Sequence, residues 1–455
     1  MIAARLRSVL KAAQPGQFFG WWVVAGCFVM ASACWGLAFY GNGLYMAHLV
    51  KDKGWPIFQV SSAFSVFFWI GAIFIVATGR WVDRIGPQVS AAFGTISMTL
   101  AVLLIAQVSA LWQLYGALVF LALGWAWMSG AAINATVARW FDRRRGAALS
   151  IALTGASMGG IFVVPLMVVA IERLGFERGV SAVALVLGLL VLAVVRLTFV
   201  REPSQLDQSL DAATPIGQPR SLVLPLGQAG DQSLDLAHDQ TSGPSKADTA
   251  ALTLERGMSI EPWPIGRLIR MRAFVSNVIP FAVGLLAQAG FLTHQITMLE
   301  EQYSRATAAL AVVITTFSAI AGRLWAGYYV DRVSRRLIAA LNFAIQVFGL
   351  LLFAFGREPL SLYLGCVLFG IGVGNMIAFS GLLIQREFPR EQFAHVTRWA
   401  TAITQATYAV GPALLGLLRQ STGSYFWCLI LCATIGVISS LVVWFGRPTE
   451  PLASA

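Results

Sequence analysis

Arg323 is the residue with the most chemistry to offer. It lies in an apolar run, Gly322-Arg323-Leu324, eight residues before Asp331, or about 12 Å along a helix. That depth approaches the middle of a hydrocarbon core whose half-thickness is ~15 Å. A planar guanidinium there can take a carboxylate through two parallel hydrogen bonds; the alternative is a side chain that snorkels to the headgroups. The other ionisable groups in or beside apolar runs are His48, Arg196, His294, His395 and Arg398, and no carboxylate lies deep in any run. Ionisable groups inside a membrane are costly and therefore functional candidates, and a cavity built from these favours an anion. Arg398 follows Arg390 through Glu391, Gln392, His395 and Thr397, a late passage into the core that sets it at headgroup level. His294, about twenty residues into its run, is expected at the opposite mouth as a solvated interfacial imidazole. Both are kept as gating candidates.

The elements that carry these groups follow from composition. Of 455 residues, 57% are hydrophobic and 12% charged, against roughly a quarter charged in soluble domains, and the mean hydropathy is +0.72. The apolar residues arrive in twelve blocks of the ~20 residues needed to span a bilayer. The first six are residues 21–46, 58–78, 89–108, 112–137, 147–171 and 180–200. The second six are 273–297, 306–330, 337–355, 360–384, 393–418 and 425–445. The first block is too long for a removable signal peptide and is expected to remain as a helix.

The net charge of +11 is distributed by side of the membrane, so it argues for topology and not for nucleic acid. Arg5, Arg7, Lys11, Arg80, Arg84, Arg139, Arg143 to Arg145, Arg332, Arg335, Arg336, Arg386, Arg390 and Arg447 lie in alternate short segments and outnumber Lys51, Lys53, Arg173, Arg178, Arg305, Arg357 and Arg419 in the others. Both termini are therefore expected in the cytoplasm. The five cysteines all fall in apolar blocks without metal-ligand spacing and read as reduced packing residues. No cofactor or metal is expected.

From 201 to 272 the hydrophobic pattern gives way to Gln, Ser, Asp, Ala and Pro, with DQSLD at 207–211 recurring at 231–235. That composition predicts a cytoplasmic linker, largely disordered, whose last stretch from Pro264 could form a short helix in the headgroup layer. The expected units are a cytoplasmic N-terminus (1–19), a six-helix bundle (20–200), the linker (201–272), a second bundle (273–446) and a cytoplasmic tail (447–455). The halves repeat. Gly79-Arg-Trp-Val-Asp83-Arg84-Ile-Gly86 ends the second block, and Gly327-Tyr-Tyr-Val-Asp331-Arg332-Val-Ser334 ends the eighth, 248 residues on. The same offset, within a residue or two, sets Gly124 in the fourth block against Gly370 and Gly372 in the tenth, and Phe141 against Phe388. Self-similarity of this kind exposes architecture that hydropathy cannot.

These residues resemble the major facilitator superfamily, whose signature after the second helix is Gly-x-x-x-Asp-Arg-x-Gly, repeated more loosely after the eighth. The resemblance implies an all-α membrane protein, twelve transmembrane helices in two six-helix pseudo-symmetric bundles. It makes Asp83, Arg84, Asp331 and Arg332 gating residues that latch one state of the moving halves; the plainer reading is helix termination with positive-inside topology. A narrower set, Phe19-Gly-Trp-Trp-Val-Val, Arg139-Trp-Phe-Asp-Arg-Arg-Arg-Gly146 and Gly155-Ala-Ser-Met-Gly-Gly160, is similar to the monocarboxylate porter and oxalate:formate antiporter branch, where an arginine matching Arg323 binds the substrate carboxylate. Helices lining the central cavity of that fold would bring Tyr40, Asn42, Trp127, Asn134, Gln288, Asn375 and Gln405 to the substrate, with Trp125, Gln295 and Tyr408 nearby, although residues of these types more often pack or bond between helices. Two departures stand out. Ala319 occupies the place of a proton-carrying Asp, and no lysine occurs near Tyr408-Ala-Val410-Gly-Pro412, so the resemblance does not extend proton coupling or dianion binding to this chain.

The function expected is secondary active transport of a small organic anion, a monocarboxylate, by alternating access, with the solute and the bilayer as partners, a monomeric state, and a bacterial inner membrane as location. The alternatives are export of hydrophobic or drug-like compounds and a non-transporting sensor on the same scaffold. An enzyme is not expected: no nucleotide-binding Gly-x-x-x-x-Gly-Lys-[Ser/Thr] loop and no His-Glu-x-x-His occurs.

Overall fold

Residues 18–142, 144–206, 208, 210–212, 263–329, 332–356 and 358–446 are described by a computed structural model. Twelve helices are long and apolar enough to cross a membrane. In the first half they are α1 (Gly20–Asp52), α2 (Ile57–Ile85), α3 (Pro87–Gln107), α4 (Leu111–Ala138), α5 (Arg145–Leu174) and α6 (Phe176–Thr198). In the second half they are α7 (Arg272–Leu299), α8 (Arg305–Tyr329), α9 (Arg335–Phe355), α10 (Pro359–Glu387), α11 (His395–Thr422) and α12 (Tyr425–Phe445). Reversals between them are tight. At Gly86 (φ +83°) and Gly175 (φ +78°) the chain takes a conformation that side chains resist, and Pro87 then opens α3 with its φ already helical.

The halves repeat in three dimensions as they do in sequence. Within the first, α1 packs on α5 and α6, α2 on α4, and α3 on α4 and α6; within the second, α7 packs on α11 and α12, α8 on α10, and α9 on α10 and α12. Even the irregularities correspond. α4 is interrupted at Ser129, whose ψ of -167° is extended, and α10 is interrupted at Gly374–Asn375. In the second half, Arg336 and Glu387 form a buried, two-pronged ion pair at 2.6 and 2.7 Å, and Arg336 also donates to Ser276 and to the Val443 carbonyl. This network ties α7, α9, α10 and α12 into one body; composition had shown Arg336 only as a flanking charge.

The end bearing the chain termini is here called the terminal face and the other the distal face. The halves meet through α1 with α7, α2 with α11, and α5 with α8. Among the described residues, the hydrogen bonds and ion pairs joining them lie towards the distal face. Ser65 Oγ accepts from the Ala413 N–H (3.0 Å), Gln420 Oε1 accepts from the Phe58 N–H (3.2 Å), and Lys51 and Asp52 face Glu300 and Arg305. Among the described residues the two halves are thus pinned together at the distal face, while Arg323, Arg398, Thr401 and Gln405, nearer the terminal face, are exposed.

The linker ends depart from the expectation of disorder. Residues 201–206 continue from α6 into a 3-10 turn, and the Asp211 carboxylate accepts from the backbone N–H groups of Asp142 (3.0 Å) and Arg144 (3.2 Å). Asp211 also donates its own N–H to the Trp140 carbonyl, and Gln208 receives the Phe19 N–H. A short acidic side chain over converging N–H groups is sufficient to pin this strand of linker to the α4–α5 turn. At the other end a single helical turn, Ile265–Leu268, buries Leu268 against Phe274 and Phe388, and Trp263 stacks edge-on to Phe388. The expected headgroup helix is therefore docked on the second bundle. The rest of the linker, residues 1–17 and the tail from 447 lie outside the described residues.

Candidate functional site between the two halves

Helix rise places the site by depth. At ~1.5 Å per residue, Trp125 in α4, Gly374 in α10 and Tyr408 in α11 each lie about 20 Å below the distal ends of their helices. Arg323 lies somewhat deeper on α8. Its side chain leans back, because Cα–Cβ bonds tilt towards a helix N-terminus, which for α8 is the distal end. The guanidinium therefore rises to the same level, where its Nε donates to the Gly374 carbonyl at 3.0 Å. The carbonyl is offered by the interruption of α10, and α8 and α10 come close enough for this because a Cβ on Gly322 would collide with the Ile371 carbonyl and one on Gly374 would meet the Ala319 carbonyl at 2.5 Å. Arg323 is exposed, and its two Nη groups have no partner among the described residues.

Tyr40 ends a π-helical segment of α1, Trp35–Tyr40. Closing with i→i+5 bonds makes residues four and five apart neighbours on one face, and such segments recur at functional sites. Trp35, Phe39 and Tyr40 are consequently presented together. Gly36 permits the wider turn: its Cβ would fall 2.5 Å from Val163, in a matching π segment of α5 (Gly159–Val163). Trp125 packs on Trp35 (ring centroids 4.8 Å) and lies nearly parallel to Phe39 (6.2 Å, 22°). Phe68 of α2 joins Phe39 at 6.3 Å to Tyr408 of α11 at 5.0 Å. An aromatic wall, mostly from the first half, thus stands at the level of the Arg323 guanidinium from the second.

α11 extends the site towards the terminal face. Arg398, Thr401, Gln405 and Tyr408 follow at helical spacing down one stripe, the first three exposed, and Tyr408 meets Phe68 of the other half. Arg398 thus lies on the stripe of α11 that Tyr408 continues to the seam between the halves.

The remaining expected residues fall elsewhere. Trp127 is 7% exposed and packs on Phe74 and Phe93 at 5.9 and 5.4 Å; two residues from Trp125, it points to the other side of α4, so it is removed from the substrate set. Asn134 is at the terminal mouth, accepting from Arg145 Nη2 at 2.7 Å. Asn375 is buried within the second half, donating to the Ile371 carbonyl (3.1 Å), and so supports the break in α10 from behind. Asn42 and Gln288 are buried, with both Asn42 amide atoms and Gln288 Oε1 unpartnered. His294 is not solvated at all. It is 2% exposed, with Nδ1 3.0 Å from the Tyr425 hydroxyl and Nε2 3.0 Å from the Pro412 carbonyl, a cross-link of α7, α11 and α12. Of the latch residues, Arg84 is exposed at the end of α2 and Arg332 turns the chain out of α8, its N–H donating to the Tyr329 carbonyl at 3.0 Å. The Asp83 side chain and Asp331 lie outside the described residues.

Comparison with known proteins matches this architecture. The chain is 26% identical over 219 residues to the riboflavin transporter MCH5 of Saccharomyces cerevisiae, a stretch covering 44% of this chain and 40% of that protein. It is 28% identical over 122 residues to a proposed multidrug resistance protein, MdtD, of Pectobacterium atrosepticum, covering 27% and 26%. The chain thus spans less than half the length of either relative. A crystal structure of a D-xylose-proton symporter shares the fold, with a TM-score of 0.66 at 14% identity over 95% of this chain and 98% of that one. The family model for the Major Facilitator Superfamily matches residues 24–401 and 272–455, and with twelve helices in two repeating bundles the chain belongs to that superfamily.

Proposed function

We propose that this protein is a secondary carrier that moves a small organic monoanion across a membrane by alternating access, holding the carboxylate on Arg323. The observation that carries this reading is the state of that one side chain: it is anchored through Nε to Gly374, and among the described residues neither Nη group has a partner. Anchoring fixes the plane of the fork, and the free donors match the two oxygens of a carboxylate. Arg145 and Arg398 are exposed on the terminal side of Arg323 and would draw an anion in. If the positive flanks set the termini in the cytoplasm, that side faces inward. Ala319, one turn from Arg323, supplies no proton carrier, so exchange of one anion for another, or flow down a gradient, fits better than proton coupling.

Counterflow of a labelled monocarboxylate into reconstituted vesicles tests the reading. Arg323→Gln loses one or two charge-assisted hydrogen bonds, a loss of roughly 10- to 100-fold in affinity or more. Unchanged uptake for every anion tried would overturn the assignment. Export of hydrophobic compounds is the second reading, favoured by the aromatic wall; it requires uptake or efflux of uncharged aromatic solutes that is indifferent to Arg323→Gln.

A further inference from the structure

We propose that the anion carried on Arg323 has a flat, conjugated body, that is, an aromatic carboxylate whose ring lies against the wall formed by Trp35, Phe39, Tyr40 and Trp125 and is bordered by Tyr408. This rests on the anion reading above and narrows it to a substrate class.

The wall is built, not incidental. Three of its rings come from the single π segment of α1, where the i→i+5 closure turns Trp35, Phe39 and Tyr40 to one side. Trp125 completes the wall, packing on Trp35 and Phe39 at 4.8 and 6.2 Å. Phe68, only 8% exposed, braces Phe39 and Tyr408 across the seam between the halves. Trp35, Phe39, Tyr40, Trp125 and Tyr408 are each only partly buried, although the halves are pinned together above them. Phe39 and Tyr408 meet through Phe68 across the seam between the halves, at the depth of the Arg323 guanidinium.

The chemistry of the wall is selective. It offers π faces, two phenol hydroxyls and two indole N–H donors, and no amide or charged group of its own. A polyhydroxylated solute would leave most of its hydroxyls without partners there, a heavy loss in a desolvated site. A ring gains offset or edge-on contacts at 4.5–7 Å, while the carboxylate at its edge reaches the arginine. The site therefore divides labour: the second half reads the charge and the first half reads the plane. Binding then requires both halves, as alternating access demands.

Binding to the purified chain in nanodiscs, followed by calorimetry, tests this with three probes: benzoate, cyclohexanecarboxylate of similar size but without a π face, and uncharged benzamide. The wild type is expected to hold benzoate about three- to tenfold more tightly than cyclohexanecarboxylate and to hold benzamide weakly. Trp125→Ala should collapse the benzoate preference to less than twofold, and Trp125→Phe should restore most of it, which separates ring recognition from misfolding. Arg323→Gln should weaken both acids by a similar factor and leave their ratio standing. Equal affinity for the two acids in the wild type, or a ratio untouched by Trp125→Ala, overturns the aromatic assignment while the anion reading survives. Benzamide binding as tightly as benzoate, with no effect of Arg323→Gln, overturns the anion reading instead.

Discussion

A charged side chain about 20 Å from one membrane face persists only where something offsets its desolvation. Among the described residues, Arg323 has the single Gly374 carbonyl for that purpose. His294 is the opposite case, with both ring nitrogens spent on interhelical bonds and nothing left for a solute. Replacing it by Phe removes both bonds and strands the Tyr425 hydroxyl and the Pro412 carbonyl. Interhelical hydrogen bonds in membranes average ~0.6 kcal/mol each and reach ~1.7, so His294→Phe should cost about 1–3 kcal/mol and lower the unfolding temperature of the purified protein by several degrees. Substrate affinity, measured by the same calorimetry, should move little; a large loss of affinity at unchanged stability would place His294 in the solute path. Arg323 was legible in sequence because charge in an apolar block is rare, and counting back from Asp331 gave its depth. The facing of uncharged residues was not. Trp125 and Trp127 are equivalent as letters, and only the course of α4 between α2 and α3 decides that one joins the aromatic wall and the other packs on Phe93.

Helices in this chain approach one another at glycines, because lipid gives apolar helix surfaces no reason to associate beyond close packing. α1 and α5 show the limit. A Cβ on Gly155 would run into the Phe28 carbonyl, and one on Gly159 would sit 2.5 Å from the Gly36 nitrogen. Because these atoms are backbone they cannot turn aside, and the paired π segments that present Trp35, Phe39 and Tyr40 depend on this crossing. Gly155→Ala should therefore cost about 1–3 kcal/mol through overpacking and weaken substrate binding as well. Gly116→Ala in α4, where no atom lies within 4 Å, should be neutral or stabilising by up to about 1 kcal/mol. Thermal unfolding of the two variants side by side checks the contrast; equal effects would mean that the crossing is not the constraint. At this scale the sequence was most readable, since a bilayer dictates both helix length and the absence of free backbone polar groups, and the repeat paired α2 with α8 directly. The π segments and the breaks in α4 and α10 left no mark in hydropathy, because they change the register of an apolar run without changing its composition. The linker ends were misread for a related reason: Asp211 is docked by a local cap, which a polar composition does not disclose.

Alternating access requires the distal contacts to break when the terminal side closes, so whatever holds the distal face sets the resting balance between states. The strongest candidate is the charge cluster at the ends of α1 and α8. Glu300, with its side chain only 2% exposed, holds Arg305 at 2.8 Å, and Arg305 reaches across to Asp52 at 3.5 Å, while Lys51 lies 3.9 Å from the other Glu300 oxygen. Lys51 is 58% exposed, so its pair with Glu300 is screened and weak. The leverage lies in Glu300 aiming Arg305 at the opposite half. Glu300→Gln leaves Arg305 with a neutral partner and lowers its grip on Asp52, which should raise the distally open population about three- to tenfold, the range expected of surface to partly buried pairs. Spin labels on Glu177→Cys and Ser421→Cys report the distal face, and labels on Ala147→Cys and Arg386→Cys report the terminal one; all four positions are exposed, and the five native cysteines are buried and compete poorly for label. In Glu300→Gln the distal pair should gain a longer distance while the terminal pair gains a shorter one, and raising the salt should shift the unsubstituted protein the same way. Reciprocal movement is the diagnostic, because local fraying of the α7–α8 turn would lengthen the distal distance alone. A distal distance that stays single and short in the variant, at low and high salt alike, would leave the closed face to the packing of α2 on α11, where Gly416 lies against Ser61, and would remove the charge cluster from the gate.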